Sequence, residues 1–109
     1  MTKGNRLGEF EFIVMAAVLQ LGEDGYGAAV RDEIQRRLSR SVTLGAVYST
    51  LDRLEKKGLV RSWMGEPSPE RGGKAKRFFA VEAPGTRALR QTSEDFRAMT
   101  TGLTLDKVQ

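Results

Sequence analysis

The 109 residues, 39% hydrophobic and 29% charged, fit a single folded domain and are too apolar for a disordered chain. Cysteine and histidine are both absent, which excludes disulfide frameworks, cysteine-containing zinc sites, thiol nucleophiles and Ser-His-Asp triads. The net charge of +4 sits wholly within residues 41–81, since residues 1–40 hold six charges of each sign and residues 82–109 four of each; such a local positive field suits a polyanion partner, or else a solvated surface that maintains solubility.

The longest apolar run, Phe12 to Leu19, is well short of the ~18 residues that suggest a membrane helix. It also lies behind too polar a leader for a secretory signal, so a cytoplasmic chain without membrane association is expected. From Gly8 to Leu21 the period is helical, with Phe10, Ile13, Val14, Ala17, Val18 and Leu21 on one face. Phe12, Met15 and Leu19 fall largely outside that face. A helix with so little polar surface needs cover on two sides, and a second subunit would supply one of them. Gly22 and Gly25 then mark a turn.

A second helix is predicted from Tyr26 to Arg40, with Val30, Ile34 and Leu38 at intervals of four. A third begins at Thr43, whose hydroxyl suits the cap of a first turn. Its apolar stripe is Leu44, Val47, Leu51 and Leu54, and Gly58 ends it in a left-handed conformation. Leu59 to Met64 and Lys76 to Val81 read as strands around a loop rich in glycine, proline and charge. Pro84 opens a last helix in which Leu89, Phe96 and Leu103 recur every seven residues, with Thr92 and Met99 between them, like a coiled-coil seam. Three helices, a two-stranded hairpin and a closing helix describe a mainly α winged helix-turn-helix. Residues 1–82 would form the DNA-binding domain and residues 83–109 the dimerisation helix and tail.

The third helix carries two unlike faces. Opposite its leucines lie Gly45, Ala46, Ser49, Thr50 and Arg53, with Tyr48 at the boundary. Small residues permit close approach to a groove floor, and hydroxyls and Arg53 can donate to phosphates or base edges. Thr43 is either a cap or a DNA ligand, and Tyr48 either a reader or an aromatic at the core edge. Arg53 has Asp32 and Glu55 as alternative partners. In the loop, Arg71, Lys74 and Lys76 suit phosphate or minor-groove contacts, or a charged edge that discourages strand pairing. No phosphate-binding glycine loop, paired carboxylates or calcium-loop spacing offers catalysis, metal binding or a cofactor site, so the chain is expected not to be an enzyme.

The segments Gly25-Tyr26-Gly27, Thr43 to Val60 and Gly72 to Phe79 resemble the PadR family of transcriptional regulators. The most specific element is Tyr48 followed by Leu51-Asp52-Arg53-Leu54-Glu55 and Gly58-Leu59-Val60. The resemblance implies a homodimeric winged-helix repressor of the short subgroup, bound to a palindromic operator in double-stranded DNA. It places Gly45, Tyr48, Ser49 and Thr50, with Lys74 and Lys76 of the wing, at the DNA, and the first and last helices at the dimer interface. The interface candidates are then Phe10, Phe12, Met15, Leu19, Leu89, Phe96, Met99 and Leu103. A small aromatic or hydrophobic effector is implied too, with Phe10, Phe12, Phe96 and Met99 as its candidates or simply as interface core. Val81-Glu82 stands where the family has Leu-Thr, which leaves the cap of the last helix unassigned. The rival reading is a winged-helix module whose basic face meets an acidic protein.

Overall fold

The computed structural model describes residues 6–68 and 72–106. Helix α1 spans Glu9–Leu21, a short 3-10 turn follows at Gly22–Asp24, and α2 spans Gly27–Leu38. Helix α3 spans Leu44–Lys56, strands β1 (Val60–Met64) and β2 (Arg77–Val81) form the hairpin, and α4 spans Ala83–Thr100. The order is the one expected from periodicity, in a mainly α winged helix-turn-helix.

The core explains why α1 is apolar nearly all round. It packs against α2, α3, α4 and β2 of its own chain, so Val14, Met15, Ala17 and Val18 are all buried. Met15, expected to be free for a second subunit, is 0% exposed and belongs to the core. Helix α2 contributes Val30 and Ile34, whereas Leu38 at its end is exposed. Helix α3 contributes Val47, Leu51 and Leu54, with Leu44 only half-buried. Gly58, at φ +76°, turns the chain from α3 into the hairpin.

The two strands are antiparallel, with Ser62 opposite Phe79 and Trp63 opposite Phe78. Phe79 is fully buried, and its N–H donates to the Gly25 carbonyl (2.8 Å). Tyr26 forms a bridge with Phe78, so the segment before α2 adds a third, one-residue rung to the hairpin.

At the start of α4, Pro84 occupies the first turn and Glu82 stands at the cap position without a capping side chain. The Glu82 N–H donates to the Leu59 carbonyl (2.9 Å), and its carboxylate pairs with Arg61 (3.4 Å). Helix α4 turns Gly85, Ala88, Leu89 and Thr92 onto the body. Leu89, expected at a dimer seam, is 8% exposed and packs in the core of its own chain. Leu103, the third member of that seam, lies beyond the end of the helix. The heptad reading is therefore corrected: Phe96 (56% exposed) and Met99 (76% exposed) are the large apolar side chains that α4 presents outward.

Candidate nucleic-acid interface

Helix α3 is held along Val47, Leu51 and Leu54 and capped by Thr43, whose Oγ1 accepts from the Ala46 N–H (3.0 Å). That bond removes one of the orphan donors of the first turn. The opposite flank leaves Gly45, Ala46, Ser49, Asp52 and Arg53 exposed. Thr50 does not belong to it. At 3% exposure Thr50 is buried, because it lies three residues after Val47 and four before Leu54, on the flank turned inward. Its placement among groove-facing residues is thus corrected, and Ser49 alone of the two hydroxyls faces outward.

Tyr48 is half-buried, 6.2 Å from Phe79 between ring centroids. Its ring passes directly over Gly27, where any Cβ would collide with it. The Gly-Tyr-Gly element thereby acquires a physical meaning. Gly25 supplies a carbonyl to β2, Tyr26 bridges to Phe78, and Gly27 leaves room for the Tyr48 ring.

Most basic groups near α3 are already paired within the fold. Arg77 reaches Asp52 (3.2 Å), Glu55 (2.8 Å) and the Ser62 hydroxyl (3.2 Å), which ties β2 to α3. Arg53 pairs with neither Asp32 nor Glu55; its Nε donates to Glu11 (3.2 Å), and Lys57 Nζ donates to the same oxygen (2.9 Å). Glu11 is a residue that sequence reasoning missed. It is buried on α1, and its other oxygen accepts from the Gly8 N–H (3.0 Å). Burial raises the Glu11 carboxyl pKa, but the Gly8 bond and the Lys57 and Arg53 hydrogen bonds outweigh it and hold the group below its ordinary value. A similar cluster closes α2, where Arg37 and Arg36 donate to Glu33 and lower its pKa.

Lys56, Lys74 and Lys76 remain beside α3 and on the wing, with no ion pair among the described residues. Lys74 is exposed next to the turn at Gly72-Gly73, and Lys76 lies with its Nζ 3.7 Å from the centroid of the Tyr26 ring. Arg71 lies outside the described residues. An open groove runs between α3 and the wing, bordered by Tyr26, Ala28, Tyr48, Asp52, Lys76 and Arg77.

Among the interface candidates, Phe10 and Phe12 are half-buried and Leu19 is exposed. Phe12 meets Phe96 edge to face at 6.4 Å, and Arg40 lies over the Phe10 ring. No group of three or more acidic or metal-ligating side chains that could hold a metal ion occurs among the described residues. No described helix is long and apolar enough to cross a membrane.

Solved structures share this fold at low sequence identity. A PadR-like transcriptional regulator from Bacillus cereus is 18% identical over 84% of each chain, with a TM-score of 0.70. A PadR family transcriptional regulator from Eggerthella lenta is 24% identical over 87% of this chain and 82% of that one (TM-score 0.67). A transcriptional regulator from Clostridium thermocellum is 19% identical over 84% of this chain and 85% of that one (TM-score 0.69). Comparison with curated proteins found no match. The family model of the PadR-like transcriptional regulators matches residues 15–91, which takes in α2, α3 and the hairpin. With that match over most of its length and a winged helix-turn-helix beneath it, the chain belongs to the PadR-like family of transcriptional regulators, DNA-binding proteins and not enzymes.

Proposed function

We propose that the protein is a cytoplasmic, homodimeric repressor that binds a palindromic operator, with two copies of α3 in successive major grooves about 34 Å apart. The observation that carries this reading is the exposed flank of Gly45, Ala46 and Ser49 on α3, together with Lys56 at the end of that helix and Lys74 and Lys76 on the wing, none of which forms an ion pair among the described residues. The small residues admit the helix to a groove floor, while Ser49 and Tyr48 offer hydroxyls to base edges. The lysines hold phosphates and set the register. Residues 1–82 act as the DNA-binding domain and residues 83–109 as the dimerisation helix and tail. Phe96 and Met99 of α4, with Phe10, Phe12 and Leu19 of α1, would form the protomer contact. The partly exposed Phe12–Phe96 pair would give a small aromatic or hydrophobic effector its place between protomers.

Selection of bound fragments from random duplex DNA with purified protein tests the reading. Enrichment of an inverted repeat whose half-site centres lie about 10 bp apart, or a multiple of that, is expected. Recovery of unselected DNA alone would contradict it and return the basic face to the reading as a docking surface for an acidic protein.

A further inference from the structure

We propose that Tyr26 is a positioning residue for the wing: its ring holds the Lys76 ammonium in readiness for a DNA phosphate. The proposal rests on the DNA-binding reading above. Arg53, Lys57, Arg61 and Arg77 each face a carboxylate, so their charge is largely neutralised before any duplex arrives. Lys76 is restrained differently. Its Nζ stands 3.7 Å from the Tyr26 ring centroid, and it forms no ion pair among the described residues. An aromatic face attracts an ammonium through the ring quadrupole without cancelling its charge. The donors turned away from the ring stay available, and no salt bridge has to break before a phosphate is bound. The side-chain freedom that a loose lysine gives up on binding is already restricted here.

Tyr26 is itself firmly placed. Its backbone bridges to Phe78 and its ring stands edge-on to the Phe78 ring at 5.7 Å. Phe78 stacks on Trp63 at 6.1 Å, and Arg61 lies over Trp63 at 4.8 Å. Lys76, Tyr26, Phe78, Trp63 and Arg61 thus form one continuous row of ring and cation contacts across the hairpin. It couples the wing to the start of α2 and places the row's free cation at the edge of the groove beside Tyr48.

The test is a double-mutant cycle on affinity for the selected operator, with Tyr26→Leu, Lys76→Ala, the double variant and Tyr26→Phe, each checked by thermal unfolding. Tyr26→Met, which keeps the bulk, takes the place of Tyr26→Leu should the leucine variant not fold. Tyr26→Phe should bind within about twofold of the wild type, and Tyr26→Leu about tenfold more weakly, two rings being lost per dimer. Lys76→Ala should reduce the log–log salt slope by about 2 in magnitude for the two phosphate contacts removed. In the Lys76→Ala background, Tyr26→Leu should cost nothing further. An equal loss in that background, or a Tyr26→Phe variant as weak as Tyr26→Leu, overturns the proposal, because Tyr26 would then touch DNA itself. Operator binding by the wild type with no effect of Lys76→Ala overturns it too and leaves the regulator reading standing. Absence of operator binding by the wild type overturns the regulator reading itself.

Discussion

The Tyr48 ring occupies the space that Gly27 leaves by having no side chain. One residue of α3 is thereby seated on the first residue of α2, and the position of its hydroxyl depends on that seat. Gly27→Ala should displace the Tyr48 ring and lower stability by about 1–3 kcal/mol, the cost of overpacking a filled site. Operator affinity should fall by about 2 kcal/mol per dimer as two hydroxyls lose their placement. Titration of labelled operator, alongside thermal unfolding, checks both halves of this expectation.

Ser49 and Thr50 are neighbours with opposite surroundings, the first exposed and the second buried. Ser49→Ala should weaken specific binding by about 1 kcal/mol per half-site while non-specific binding holds. Thr50→Val preserves shape and should leave operator preference unchanged. Competition between operator and unrelated duplex separates the two effects, and a Thr50→Val variant with altered preference would contradict the placement of that side chain.

The proposed dimer surface has a similar internal control. Phe96 and Met99 are exposed, so replacing both with glutamate should give a folded monomer with much weakened operator binding. Leu89 is core, so Leu89→Ala should cost about 2–5 kcal/mol of stability instead. Sedimentation velocity and thermal unfolding report these outcomes separately.

Glu11 joins α1 to α3 through Lys57 and Arg53. Its folded pKa is depressed, so its contribution is fully present above the ordinary value of 4.5 and is lost as pH falls through the lowered folded value. Glu11→Gln should remove about 1–2 kcal/mol at neutral pH, a modest figure because both basic partners remain partly in water. Stability of the variant should also vary less with pH in the acid range. Urea unfolding from pH 3 to 7 measures this; parallel curves for the variant and the wild type would exclude the role.

Much of the fold was legible from spacing alone. The stripe of α3, its Thr43 cap, the glycine stop at Gly58 and the two strands are local features, and local patterns specify them. What escaped depends on residues far apart in the chain. Met15 is covered because α1 has neighbours on several sides, including α4, which no helical wheel reveals. Leu89 and Thr92 turn inward because the first half of α4 packs on the body of its own chain, so a seven-residue spacing that suggested a seam belongs in part to the core. The stripe of α3 is wider than its leucines indicate, and Thr50 falls within it. Glu11 and Lys57 are separated by 46 positions and leave no local trace of their contact.

The dependence of operator affinity on salt tests most directly whether the lysine-flanked face of α3 and the wing receives a duplex. Lys56, Lys74 and Lys76 in each of two protomers correspond to about six phosphates, so the logarithm of affinity should fall with the logarithm of salt concentration at a slope near −5. A slope near zero would contradict the account.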